Sequence, residues 1–309
     1  MQHALPRIGF IGLGAMGNPM AARIAGAGFP LTVADADAAR AASAAETLAA
    51  ATAETPAALA ARSDIVVTML PSSAIVGEVL RGEAGVLAGL AAGGVILEMS
   101  SGVPELTAAF AGEAAEHGIA LLDAPVSGGV PRARTGELAI MVGGDDAGYG
   151  KAEAVLQTMG SVIRTGPVGS AHAMKALNNL VSAGGFLIGI EALLIGQRFG
   201  LDPALMVDVL NASTGMNNST QKKFKQYVLS RGFDAGFGLD LMVKDLGIAL
   251  GVAHSTGTAA PFSGLCRELW SGSQKYLGPG QDHTAVALFS EMLAGTQLGK
   301  SADEKGPGA

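Results

Sequence analysis

Ile8-Gly9-Phe10-Ile11-Gly12-Leu13-Gly14-Ala15-Met16-Gly17 is the stretch that decides the fold. A short apolar run feeds directly into glycines spaced G-x-G-x-x-G, and Asn18 to Ala27 then has helical character. At such a strand-to-helix junction each glycine has its own task. Gly12 permits the tight turn, Gly14 lets backbone approach a pyrophosphate, and Gly17 allows close helix–strand packing. Leu13, Ala15 and Met16 supply the intervening backbone, and the helix start offers N–H groups and a positive dipole end to phosphates.

Spacing alone means little in a chain with 45 glycines, so the context decides. A second run, Leu31-Thr32-Val33-Ala34, ends in Asp35, eighteen residues after Gly17. A carboxylate there accepts hydrogen bonds from ribose hydroxyls and repels a 2′-phosphate. Ala36-Asp37-Ala38-Ala39 brings no cation before Arg40, so NAD is expected in preference to NADP.

Further apolar runs fall at Ile65–Leu70, Val95–Met99, Ala120–Asp123, Leu138–Val142 and Val162–Arg164, with helical stretches such as Pro104–His117 between them. Strands alternating with helices predict an α/β fold, a doubly wound and largely parallel Rossmann-type sheet covered on both faces. Near residue 166 the β-rich runs stop. A helix from Ser170 to about Phe199 is predicted, then helices opened by Asp202-Pro203 and over Ser219–Ser230, Leu239–Ser255, Pro261–Tyr276 and Asp282–Leu293. The expected domains are 1–165, dinucleotide-binding, and 166–299, an all-helical domain for substrate and oligomerisation joined through the long helix. Residues 300–309 read as a disordered tail.

Composition closes off several classes. A net charge of −7 opposes a binder of duplex nucleic acid. The longest apolar stretch, Leu180 to Ile190, is too short to cross a bilayer. One cysteine, Cys266, can form neither an internal disulfide nor a thiolate cluster, and no basic-then-apolar leader precedes the first strand. A cytoplasmic protein is expected. No G-x-S-x-G elbow occurs, Gly299-Lys300-Ser301 lacks the upstream glycine of a P-loop, and the five histidines show no ligand spacing, so no metal site is expected.

Four blocks in order resemble the β-hydroxyacid dehydrogenase family, over about residues 7–298. They are Gly9 to Gly17, Asp123-Ala124-Pro125-Val126-Ser127-Gly128-Gly129, Gly169-Ser170-Ala171-His172-Ala173-Met174-Lys175-Ala176-Leu177-Asn178-Asn179, and Lys244-Asp245-Leu246. The resemblance implies an NAD-dependent oxidoreductase interconverting a small anionic β-hydroxyacid and its semialdehyde or ketoacid. It assigns Lys175 and Asn179 to catalysis, and Ser127, Gly128, Gly129, Asn178 and Asp245 to substrate. Met69-Leu70-Pro71 and Ser101 follow strands and match family positions along the cofactor; Phe237 and Lys244 match positions lining the nicotinamide pocket. A homodimer or homotetramer is also implied.

The residues agree with this on their own terms. Lys175 and Asn179, four apart, project from one helix face, and a lysine of lowered pKa serves as general acid or base. Ser127 and two glycine N–H groups can hold a carboxylate. Phe237 reads equally as a core residue, and His172 as a packed or exposed histidine. Arg132 and Arg134 either recognise a second acidic group of a larger substrate or belong to a solvated loop. Two rivals stay open: an imine reductase on the same scaffold, whose members usually carry Asp or Tyr where Lys175 stands, and a non-catalytic NAD-binding scaffold.

Overall fold

The runs of β-branched and aliphatic residues become strands because both of their faces are covered. In the computed structural model, which describes residues 5–299, β1 (Ile8–Ile11), β2 (Leu31–Ala34), β4 (Ile65–Thr68) and β5 (Val95–Glu98) are buried at every residue. Their neighbours are β3 (Ala51–Thr52), β6 (Ala120–Asp123), β7 (Val126–Ser127), β8 (Leu138–Gly143) and β9 (Gly160–Gly166). The order β3-β2-β1-β4-β5-β6 is parallel throughout and reverses direction beside β1, which places a crevice at the carboxyl ends of β1 and β4. β8 then runs antiparallel to β6 and β7, and β9 pairs parallel with β8. The tail 300–309 lies outside the described residues.

The chain divides into two compact units between Lys175 and Ala176, inside the long helix Ser170–Phe199 rather than ahead of it. In the first unit, two apolar clusters lie against the sheet, one around Phe10, Met20 and Val142 and the other around Leu59, Leu80 and Phe110. In the second, Phe186 of the long helix meets Phe224 and Trp270 edge-on at 5.3 and 6.0 Å, and Val207, Leu239 and Met242 close the core.

Two helical expectations change in detail. Ser219–Ser230 is not one α-helix: Asn217 caps a short helix Asn218–Lys222, and Phe224–Leu229 winds as a π-helix. The last segment starts with a 3₁₀ turn, His283–Ala285, before Val286–Ala294. The long helix is the one described helix long and apolar enough to cross a membrane, but more than half of its apolar window is buried in the protein.

Candidate active site

The glycine turn has the geometry that its spacing requires. Gly12 has φ +98°, and a Cβ there would sit 2.2 Å from the Met69 carbonyl oxygen. A Cβ at Gly17 would lie 1.8 Å from the Gly12 carbonyl oxygen, whereas one at Gly14 would meet nothing within 4 Å. Two glycines are therefore fixed by backbone packing, and the third borders open space. The helix Gly17–Gly26 starts at Met16 without a side-chain cap; in its first turn the Asn18 N–H donates to the Gly14 carbonyl at 3.1 Å and Pro19 has no N–H, so it is the positive end of the helix that faces the glycine turn. Leu13 turns its side chain into the core. Met69-Leu70-Pro71 leaves β4 beside Gly12, and the Leu70 N–H donates to Ser100 Oγ at 2.9 Å, tying this loop to the one that carries Ser101.

Asp35 lies at the end of β2, as expected, and is held from several sides. Its Oδ2 accepts from the Leu13 N–H at 2.7 Å, and its Oδ1 accepts from the Asp37 N–H at 2.9 Å and from Arg40 Nη1 at 3.1 Å. Burial pushes the carboxyl up, but the Asp37 and Leu13 N–H groups and the Arg40 charge outweigh it and keep it below the usual carboxylate range. The sequence places Arg40 at a distance; the structure brings it onto Asp35. These groups together fit a dinucleotide: a cradle a Cβ would fill, an uncapped helix start and an ionised carboxylate.

Past β6 the chain continues as β7, where Ser127 pairs opposite Ala139. Gly128 and Gly129 follow at φ +135° and +67°, backbone that side chains rarely adopt. Arg132 and Arg134 are both exposed on the short helix Gly129–Thr135, and the Arg132 side chain lies across Gly128.

The first turn of the long helix is tied to the sheet by two carboxylates that sequence reasoning did not single out. Asp123, fully buried, accepts from the N–H groups of Gly169, Ala171 and His172 at 2.8–2.9 Å and so satisfies the helix start. Glu98 at the end of β5 places Oε2 2.8 Å from His172 Nε2. That nitrogen also faces the Ser100 carbonyl at 3.1 Å, so it carries a proton. Thr107 Oγ1 lies 3.0 Å from the Val103 carbonyl and 2.8 Å from His172 Nδ1, an arrangement that suits a ring protonated at both nitrogens. Burial pulls the His172 pKa down, but the Glu98 charge raises it overall; burial pushes Glu98 up, but His172 holds it below its ordinary value. A carboxylate closing an otherwise apolar strand, Val95-Ile96-Leu97-Glu98, was the available signal.

Lys175, buried, comes one turn after His172, and Asn179 one turn after Lys175. Asn179 Nδ2 donates to Asp245 Oδ2 at 2.6 Å and Asn179 Oδ1 accepts from Asn178 at 3.2 Å. Asp245 is buried; its Oδ1 lies 3.6 Å from Lys244 Nζ and accepts no hydrogen bond among the described residues. Asn178, Asn179, Lys244 and Asp245 are thus brought together. Phe237 is half-buried and packs edge-on against His283 at 5.7 Å. Among the described residues no group of three His, Cys, Asp or Glu is arranged to hold a metal.

A doubly wound sheet with a glycine turn and a carboxylate closing its second strand, leading into a long helix that carries buried Lys175 and Asn179 and continues as a helical unit, defines a dinucleotide-dependent oxidoreductase. Residues 7–169 match the family described as the NAD-binding domain of 6-phosphogluconate dehydrogenase, and residues 169–289 that described as NAD-binding of NADP-dependent 3-hydroxyisobutyrate dehydrogenase. The chain is 37% identical over 294 residues to 2-(hydroxymethyl)glutarate dehydrogenase of Eubacterium barkeri, covering 94% of this chain and 97% of that one. A solved Mycobacterium tuberculosis 3-hydroxyisobutyrate dehydrogenase with L-serine superposes with a TM-score of 0.85 at 31% identity, over 93% of this chain and 99% of that one. An imine reductase from Myxococcus stipitatus shares the fold alone, at a TM-score of 0.63 and 22% identity over 92% of this chain and 99% of that one. The chain belongs to the β-hydroxyacid dehydrogenase family: it is an NAD(P)-dependent dehydrogenase acting on the CH–OH group of a hydroxyacid.

Proposed function

We propose that the enzyme interconverts a small β-hydroxyacid and its semialdehyde, with Lys175 taking or returning the hydroxyl proton. The observation that carries this is the polar stripe on an apolar helix, where buried Lys175 precedes by one turn an Asn179 fixed by Asp245. The dinucleotide, when bound, supplies the hydride acceptor or donor. Ser127 and the N–H groups of Gly128 and Gly129 hold the substrate carboxylate. Asn179, steadied by Asn178 and Asp245, orients the substrate hydroxyl toward Lys175. Gly12 to Gly17, Asp35, Met69, Leu70, Pro71 and Ser101 hold the cofactor, with Phe237 and Lys244 on its nicotinamide side. NAD is preferred over NADP, because ionised Asp35 opposes a second anion at the ribose.

3-Hydroxyisobutyrate, 2-(hydroxymethyl)glutarate and L-serine all present a hydroxymethyl group beside a carbon bearing a carboxylate, and they form the first substrate panel. Exposed apolar residues on the helical unit, including Val181, Ile188 and Ile195 at seven-residue intervals along the long helix, support a homo-oligomer. The lone Cys266 is free and buried, which suits a reducing cytoplasm. The test follows reduced-cofactor absorbance. Lys175→Ala is expected to lower kcat by about 10²–10⁴-fold while cofactor affinity, read by fluorescence titration, is retained. A Lys175→Ala enzyme with wild-type kcat refutes the assignment, and turnover of a cyclic imine in place of every hydroxyacid favours the rival.

A further inference from the structure

We propose that Lys223 is the receptor for a second carboxylate on the substrate, so that the preferred hydroxyacids of this enzyme are diacids. The inference rests on the functional reading above, because it takes Lys175 as the reacting end of the substrate.

The long helix acts as a ruler. Lys175, Asn179, Ser182 and Phe186 are spaced four, three and four residues apart, so they follow one face. From Lys175 to Ser182 the axial rise is about 10 Å. Lys223 stands just past the short helix Asn218–Lys222, and its ammonium reaches back to this face. Nζ donates to Ser182 Oγ at 3.3 Å and lies 5.9 Å from the centre of the Phe186 ring. A cation is therefore held two turns beyond the proposed proton carrier, on the same side of the same helix.

This cation is incompletely satisfied. Lys223 is half-buried, and among the described residues no carboxylate lies within ion-pair distance of it. Asp282 is the acid whose charge acts on it, but its oxygens already accept from the N–H groups of Gly236, Phe237 and Thr284. Burial lowers the Lys223 pKa to about 8 and Asp282 pulls it back upward, so the side chain is still protonated near neutrality. One turn earlier on the same segment, the buried hydroxyl of Ser219 has no hydrogen-bond partner among the described residues. A partly dehydrated ammonium with no carboxylate at ion-pair distance among the described residues suits an anion better than an apolar group.

The reach fits. In a hydroxymethyl acid with a two-carbon arm ending in carboxylate, hydroxyl and distal carboxylate lie about 6 Å apart, and a hydrogen bond at each end extends this to about 12 Å. Arg132 and Arg134, the cations that the sequence offers for this role, are exposed instead.

The experiment compares kcat/KM for 2-(hydroxymethyl)glutarate and 3-hydroxyisobutyrate, which share the reacting end and differ in a CH₂CH₂COO⁻ arm against a methyl. The wild type should favour the diacid. Lys223→Met should cut the diacid-to-monoacid ratio of kcat/KM by about 10- to 100-fold, as expected for losing a hydrogen bond to a charged group, and mainly through KM. Lys223→Arg should keep most of the preference, which a role in folding alone would not explain. The proposal is overturned if the wild type oxidises the monoacid equally well, or if Lys223→Met weakens both substrates in the same proportion. If neither acid is oxidised, the functional reading falls and this inference with it.

Discussion

Replacing Glu98 by Gln tests how the helix bearing Lys175 is anchored. Both side chains of the Glu98–His172 pair are all but excluded from solvent, at 2% and 0% exposure. Removing one partner of such a pair costs about 3–5 kcal/mol, because the remaining charge stays buried without its counter-ion. Gln retains an acceptor for the Ser100 N–H, which Glu98 Oε1 now binds at 2.9 Å, so the lower end applies. At roughly 2–4 °C per kcal/mol for a unit of this size, a loss of about 3 kcal/mol lowers Tm by about 6–12 °C.

The pH dependence has a definite sign. His172 is raised in the folded protein, so its contribution is complete below about pH 6.5 and is lost as pH rises through the folded value. Glu98 is lowered, so its contribution is present above about pH 4.5 and is lost as pH falls through its folded value. The gap in Tm between wild type and Glu98→Gln is therefore widest between about pH 4.5 and 6.5, and it narrows at higher pH as the variant's histidine sheds its proton. Scanning fluorimetry at pH 5.5, 7.0 and 8.5 reads this directly. Adding His172→Gln should cost little beyond Glu98→Gln alone, since the pair is already broken. A Tm loss under about 2 °C that does not vary with pH would show that the two side chains are neutral and uncoupled.

Two further outcomes are expected. Asp35→Asn removes the ribose-side charge and releases Arg40, so the NAD-to-NADP ratio of kcat/KM should fall by about 10- to 100-fold; an unchanged ratio means Asp35 does not set cofactor choice. Val181→Lys with Ile188→Lys places two charges on exposed apolar positions, and light scattering after gel filtration should show a smaller species than wild type. Identical masses would place any subunit interface elsewhere.

What the sequence disclosed was mostly local. β1, β2, β4 and β5 are buried on both faces, so each reads as an unbroken apolar run, and the glycine turn is legible because its three tasks fall within six residues. β3 and β7 are two residues each and exist by pairing, β3 with β2 and β7 with β8; nothing in Ala51-Thr52 or Val126-Ser127 announces a strand. The π-helix is similar. Val228 N–H bonds the Lys223 carbonyl five residues back while buried Phe224 packs against Phe186, a tertiary demand that helical spacing does not reveal.

The same distinction separates the parts of the site. Lys175, Asn178 and Asn179 lie on one helix, so their shared face follows from spacing. Asp123 and Glu98 act on that helix from 48 and 74 positions earlier, and only the folded sheet brings them to it. Cation roles depend on this most. Arg132 and Arg134 follow Ser127-Gly128-Gly129 directly in sequence yet are exposed, whereas Lys223, 41 residues beyond Ser182, returns to the helix that bears Lys175. A charged residue gains specificity in a site from the water it has given up, since a partly dehydrated ammonium distinguishes an anion from an alkyl group far more sharply than a solvated one. By that criterion the proposed preference for diacids is assigned to the half-buried lysine rather than to the arginines nearest in sequence.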